Sequence, residues 1–382
     1  MLEPMNGYEY LKQLAEKRNN ERLSLYEFYD YLEPKAREQG VPIHGSFELT
    51  PLCNFNCRMC YVHLTKEQML ERSLLTTEQW KEIIRQASEA GMIRATLSGG
   101  ECLTYPGFKE LFLFLHSLGC EVSIITNASL VNEEWVQFFK DHMPSIIQIT
   151  LYGSNDDEYE KVTGLRCFRQ IMENIRLLQE AELPVRITVT PNKYIGQEGV
   201  FNTIRLGRNI TKACFVNSSL FKPREETGRS EEDHDLDIDF YVRLHHFLEE
   251  LNGNEHHKSV EGLLPPIGGP AHECTKHGLE CGGGRSSFSV DWKGVIHPCQ
   301  SLLCVEGYPL RDGFRKAWNE VNQAAESWPR VPECESCAYA PVCKRCAAQM
   351  IMYEKPGKQP LALCEQTKYF VQHGAWRLSD CE

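Results

Sequence analysis

Phe47-Glu48-Leu49-Thr50-Pro51-Leu52-Cys53-Asn54-Phe55-Asn56-Cys57-Arg58-Met59-Cys60 carries both the start of a fold and the start of a chemistry. Phe47 to Thr50 reads as a strand, and it runs straight into a loop with cysteines at the spacing C-x3-C-x2-C. Three thiolates can hold three irons of a 4Fe–4S cluster, whereas a cluster used only for electron transfer is closed by four. A set of three leaves one iron open to a substrate or cofactor. The competing reading is a zinc site, or cysteines packed in a core. Zinc is usually held by four ligands from paired C-x2-C elements, and this stretch contains one such pair.

Outward from that loop, strands alternate with helices. Strands are expected at 47–50, 93–97, 122–125, 146–151, 185–189 and 213–216, and helices at 76–90, 107–118, 132–141, 168–181, 197–208 and 237–251. Six β/α units imply an α/β fold with a parallel sheet and helical crossovers. In such folds functional residues gather at the C-terminal ends of the strands, which is where the cysteine loop falls. Before this domain (47–251), residues 1–46 form a polar N-terminal extension with helical spacing and an aromatic cluster at Tyr26, Phe28, Tyr29 and Tyr31. Helices packed on the main domain are expected there, with a docking element for a partner or peptide as the alternative. After it, the Pro/Gly run Gly262 to Pro270 marks a bridge (252–273), followed by a cysteine-dense region, 274–382.

The chain has 382 residues, a net charge of −12 with 13 histidines counted neutral, and 17 cysteines. The acidic balance argues against a broad nucleic-acid surface. The N-terminus shows no basic and apolar regions of a signal peptide. The longest apolar run, Leu111 to Leu115, is far too short to span a membrane. A cytoplasmic chain so rich in cysteine is expected to bind metals rather than form disulfides.

Two further motifs sharpen the reading. Ser98-Gly99-Gly100-Glu101 closes the second expected strand, about 40 residues after the cysteine loop. The C-terminal series runs Cys274-x6-Cys281-x17-Cys299 and then Cys334-x2-Cys337-x5-Cys343-x2-Cys346-x17-Cys364, with Gly294-Val-Ile-His-Pro-Cys299 inside it. On these residues the N-terminal half resembles the radical SAM superfamily, and the C-terminal part resembles its SPASM or twitch extension. The resemblance implies a partial (β/α)6 TIM-type barrel followed by a small cysteine-rich α+β domain. It implies S-adenosylmethionine as cofactor and three 4Fe–4S clusters. Cys53, Cys57 and Cys60 would hold the first cluster, Cys274, Cys281, Cys299 and Cys346 the second, and Cys334, Cys337, Cys343 and Cys364 the third. Met59 would lie against the adenine, and Gly99 and Gly100 would let backbone approach the ligand. Glu101 would accept from the amino group of the methionine moiety. Asn127 lies at a strand end that faces the cofactor, Thr150 would meet the ribose and Lys161 the carboxylate. This chain has two residues between Cys343 and Cys346 where relatives have three.

What the resemblance implies chemically is delivery of an electron into S-adenosylmethionine, release of a 5′-deoxyadenosyl radical, and hydrogen abstraction from an unactivated carbon. Two closed auxiliary clusters favour a net oxidation. The expected function is oxidative modification of a ribosomally made precursor peptide, with a thioether or carbon–carbon crosslink as product and a flavodoxin- or ferredoxin-type protein as electron donor. No nucleic-acid or membrane partner is expected, and no side chain is assigned as catalytic acid or base. The alternatives are an anaerobic sulfatase maturase, against which Gln300 stands where those enzymes carry an acid, and a peptide epimerase using a thiol such as Cys102, Cys214 or Cys304. A non-catalytic electron-transfer or zinc module is a fourth reading.

Overall fold

The computed structural model describes residues 25–217, 223–229, 236–252, 278–343 and 345–378. Cys274, Cys381, nearly all of the expected bridge and the first part of the N-terminal extension lie outside them. In chain order the elements are α1 (Leu25–Gln39), β1 (His44–Glu48), α2 (Thr77–Glu89), β2 (Arg94–Ser98), α3 (Phe108–Ser117), β3 (Glu121–Thr126), α4 (Glu133–Asp141) and β4 (Ile146–Leu151). Then follow α5 (Asp156–Thr163), α6 (Phe168–Glu180), β5 (Val185–Val189), α7 (Gly196–Ile210), β6 (Cys214–Val216) and α8 (Ile238–Asn252). The cysteine-rich region contributes β7 (Ser287–Val290), β8 (Ile296–His297), α9 (Pro309–Asp312), α10 (Phe314–Glu326), α11 (Pro332–Glu335), α12 (Ala347–Tyr353) and α13 (Leu361–Gln372).

The six β/α units fold as an α/β partial barrel. Strands β1 to β6 pair in parallel, each with its sequence neighbour. Period-two alternation decides which way each side chain faces. In β4, Ile147, Ile149 and Leu151 are buried toward the helical layer, while Gln148 and Thr150 face the barrel interior. Helices start where the local chemistry directs. Thr76 and Gln79 form a reciprocal capping box on α2, which buries Trp80, Ile83, Ile84 and Ala87 at helical spacing. Short α5 has no long apolar period, so periodicity does not reveal it; it begins at Asn155, which caps Glu158 N–H, and ends at Gly164 with φ +82°.

The sheet does not stop at β1. Strand β7 adds to that edge in parallel, pairing His44 with Ser287 through Phe47 with Val290, and β8 pairs antiparallel with β7. The Phe288 ring meets Phe47 at 5.9 Å, Phe314 at 5.1 Å and Trp318 at 5.9 Å, all edge-on. Phe288, Val290, Ile296, Phe314, Ala317, Trp318 and Val321 therefore share the barrel's hydrophobic core. The cysteine loops beyond have a much smaller core of their own, built on Leu279, Leu302, Ala325, Ala347 and Ala348.

The described part of the N-terminal extension packs on the barrel. The Tyr29 hydroxyl donates to Glu121 at 2.6 Å, and the Arg94 guanidinium lies 4.2 Å from the Tyr29 ring centre. These contacts place α1 at the N-terminal ends of β2 and β3, opposite the cysteine loop. Among the described residues no helix is long and apolar enough to cross a membrane.

Candidate functional site

Residues at the C-terminal ends of the strands surround a cavity of about 300 Å³. Cys53, Cys57, Met59 and Cys60 come from the loop after β1, Ser98, Gly99 and Gly100 from the end of β2, and Thr126 and Asn127 from the end of β3. Thr150 and Tyr152 come from β4 and its exit, and Thr188, Thr190 and Asn192 from β5 and its exit. The barrel thus brings together residues separated by more than a hundred positions, as strand-end geometry requires.

The cysteine loop is held from beneath by backbone. Asn56 N–H donates to Thr163 carbonyl at 3.1 Å and Arg58 N–H to Val162 carbonyl at 2.9 Å, at the end of α5. Asn127 reaches Asn54 Oδ1 at 3.0 Å, and its own Oδ1 accepts from Ser129 N–H at 2.9 Å. Phe55 N–H points at Cys53 Sγ and His63 N–H at Cys60 Sγ, each at 3.3 Å.

Burial pushes the Cys53 thiol up to about 12, and it also raises Cys57 and Cys60, with the neighbouring sulfurs adding to the effect on Cys57. Without metal these thiols hold their protons, so metal capture must release them. Among the described residues no three His, Cys, Asp or Glu side chains converge on the position of a single ion. A cubane distributes its ligands over separate irons. Three thiols opening on one cavity, with N–H groups directed at two of the sulfurs, fit that group.

The glycine pair also meets the backbone that leaves β1. Both residues line the cavity, but the space a side chain would fill is taken by the exit of β1. A Cβ on Gly99 would sit 2.5 Å from Thr50 carbonyl oxygen, and one on Gly100 2.4 Å from Leu52 carbonyl oxygen. Gly99 also has φ +151°. The glycines let two backbones touch, joined by Gly100 N–H to Thr50 carbonyl at 2.6 Å and Glu101 N–H to Leu52 carbonyl at 3.0 Å.

The Glu101 carboxylate is 1% exposed and is occupied by the protein itself. It accepts from Asn127 N–H and Thr126 Oγ1, each at 2.8 Å, and from Leu103 N–H at 3.1 Å. Burial raises its pKa while these donors pull it back. Lys161 is exposed on α5 and does not line the cavity. Cys102 is buried, with its thiol toward Ile125 carbonyl at 3.2 Å, and is likewise outside the lining.

Sequence reasoning missed Gln148, Tyr152, Thr188, Thr190, Asn192, Lys193, Asn217 and Tyr241 as lining residues. Gln148 and Thr188 had a legible signal, since each interrupts a run of β-branched apolar residues. Gln300 also lines the cavity. Its Oε1 accepts from Tyr61 hydroxyl at 3.3 Å, and its Nε2 donates to Ser46 Oγ at 3.0 Å and Ser98 Oγ at 3.2 Å. The C-terminal thiols fall into two neighbourhoods. Cys281 and Cys346 act electrostatically on Cys299, and Cys337, Cys343 and Cys364 on Cys334. Burial, then these neighbours, pushes Cys299 and Cys334 each up to about 11.

Comparison with known proteins agrees with this geometry. The sequence model of the radical SAM superfamily matches residues 47–198. The AdoMet-dependent heme synthase of Methanosarcina barkeri is 25% identical over 325 residues, covering 80% of this chain and 90% of that protein. The PqqA peptide cyclase of Bradyrhizobium diazoefficiens is 26% identical over 318 residues, covering 80% of each. Among solved structures, Streptococcus suis SuiB bound to precursor peptide SuiA superimposes with a TM-score of 0.66 at 17% identity, over 91% of this chain and 83% of that one. With its C-x3-C-x2-C loop after β1, its Gly-Gly-Glu turn after β2 and its parallel partial barrel, the chain carries over residues 47–198 a segment that matches the radical SAM superfamily.

Proposed function

We propose that this chain oxidatively modifies a ribosomally synthesised peptide, closing a thioether or carbon–carbon crosslink. The observation that carries the proposal is the position of Gln300, which adjoins Cys299 and stands in the wall of the cavity onto which Cys53, Cys57 and Cys60 open. Cys299 would help hold a cluster that could accept the electron a substrate radical sheds as it is oxidised. The likeness to a peptide cyclase supports the same reading.

When bound, the cluster and S-adenosylmethionine supply a 5′-deoxyadenosyl radical. The protein's part is to hold, orient and exclude water. Cys53, Cys57 and Cys60 hold the first cluster. Met59, Gly99, Gly100, Asn127 and Thr150 form the cofactor wall, while Glu101 secures the turn that presents it. The exposed position of Lys161 does not support its contact with the carboxylate. Two auxiliary clusters complete the set, with Cys274, Cys281, Cys299 and Cys346 on one and Cys334, Cys337, Cys343 and Cys364 on the other. Reduction comes from a flavodoxin- or ferredoxin-type donor in the reducing cytoplasm.

Epimerisation finds less support, because Cys102, Cys214 and Cys304 are all absent from the cavity lining. The amide of Gln300 also supplies no base of the kind a sulfatase maturase needs. A second reading, a tetrapyrrole substrate, is favoured by the similarity to the heme synthase. Anaerobic reconstitution should give about 12 irons per chain, four in each of three clusters. Co-expression with a precursor peptide, sought as a short reading frame beside the one that encodes this chain, should remove two hydrogens per crosslink. An unmodified peptide, together with turnover of a porphyrin, would overturn the peptide assignment.

A further inference from the structure

Beyond β6 the segment 223–229 lies against the cysteine loop. Arg224 N–H donates to Tyr61 carbonyl at 3.2 Å. At the far end of the segment, the Arg229 guanidinium donates to Arg58 carbonyl at 3.1 Å and to Asn56 Oδ1 at 2.7 Å, and it lies 3.3 Å from His63 Nδ1. Asn56 and Arg58 are the residues on either side of Cys57. Arg229 therefore grips the loop across one of its three thiols, from a position that is only partly exposed.

The neighbouring charges make this cation distinctive. Glu48 acts on Cys60, but Arg224 neutralises it at 2.6 and 2.9 Å. Glu101 acts on Cys53 and is held by hydrogen bonds rather than by a cation. Arg58 lies beside the Tyr194 ring, 5.2 Å from its centre. Arg229 is a cation fixed across Cys57 by its bonds to Asn56 and Arg58.

We infer that Arg229 is a positioning and potential-setting residue for the cluster held by Cys53, Cys57 and Cys60. The inference rests on the reading that these thiols hold a 4Fe–4S cluster. Reduction adds one electron, supplied by the external one-electron donor, to a site already carrying three thiolates. A fixed guanidinium nearby stabilises that added charge and raises the reduction potential, since net charge and hydrogen bonding around the sulfurs are the main determinants of cluster potential. Its fork also fixes the loop, which an ammonium does less well because it lacks the planar pair of donors.

The test uses the full reconstituted chain. The reduced cluster is followed by the electron paramagnetic resonance signal that changes on adding S-adenosylmethionine, as a function of applied potential. R229Q should shift the midpoint of that signal to more negative potential, and R229K should return it toward the parental value. A midpoint in R229Q equal to that of the unsubstituted protein overturns the inference. If R229Q holds no such cluster, R229K decides. A cluster retained at the parental midpoint supports the assignment, and a lost cluster overturns the role given to charge. Absence of a responsive signal from the unsubstituted protein overturns the cluster reading itself.

Discussion

Glu101 stabilises the site by gathering donors from two places. Its oxygens accept from the turn after β2 through Leu103, and from the end of β3 through Thr126 and Asn127. Asn127 in turn reaches Asn54 in the cysteine loop. Leaving a buried donor unpaired costs about 1–3 kcal/mol. We expect E101Q, which replaces one acceptor oxygen by an NH2, to lower stability by about 2 kcal/mol. Urea unfolding of the metal-free chain measures this, and an unchanged midpoint would show that the carboxylate does not tie the two strand ends together. Reading the sequence singled out this residue as an acceptor for the methionine amino group, while the donors within the protein come from Leu103, Thr126 and Asn127. Gly-Gly-Glu is legible as a motif, yet which atoms face the carboxylate depends on β2 and β3 being neighbours.

At the scale of the element, α5 is the support of the cysteine loop. Its last carbonyls, at Val162 and Thr163, receive Arg58 and Asn56 N–H. The helix can stop there because Gly164 takes φ +82° and returns its N–H to Glu160 carbonyl. An alanine at this position pays about 1 kcal/mol for the left-handed conformation. G164A should therefore lower thermal stability by that amount and speed amide hydrogen exchange at Asn56 and Arg58, relative to exchange in α2. Equal exchange in both variants would refute the support. This helix is hard to see in the sequence because its eight residues are mostly polar. Its Asn155 cap and the acidic run Asp156-Asp157-Glu158 are the signal that was available.

The whole molecule is closed by a buried ion pair that no local pattern announces. Glu48 at the end of β1 is 3% exposed and Arg224, beyond β6, is 9% exposed. Their two hydrogen bonds join the end of β1 to the segment beyond β6. Breaking such a pair from one side leaves a buried charge and costs about 3–5 kcal/mol. R224A should destabilise the chain by that amount, and R224A combined with E48Q should recover part of it. If the double variant is no more stable than the single one, the pair does not carry the closure.

A second global property is its response to acid. Burial, and then Arg94, lowers the pKa of His44 from 6.5 to about 4. The folded state resists a proton that the unfolded state accepts, so stability falls as pH drops from 6.5 toward 4. The loss is about 2 kcal/mol, after allowance for residual solvent contact of this side chain. H44Q should flatten the pH dependence in that window, and an unaltered slope would remove His44 as its source.

The sequence by itself determined the α/β alternation, the strand-end position of the cysteine loop and the residue types that could hold iron. Each of these depends on period or spacing along a single stretch of chain. Tertiary structure decided what lies opposite what. It added β7 to the barrel edge at β1, filled the space over Gly99 and Gly100 with backbone, and turned Glu101 inward. It also carried Gln300 into the cavity and Arg229 across to the loop around Cys57. Those outcomes depend on strand order and on contacts between residues up to 254 positions apart, as between Gln300 and Ser46. A hydrogen bond or a charge acts through distance in space, which local spacing along the chain does not encode.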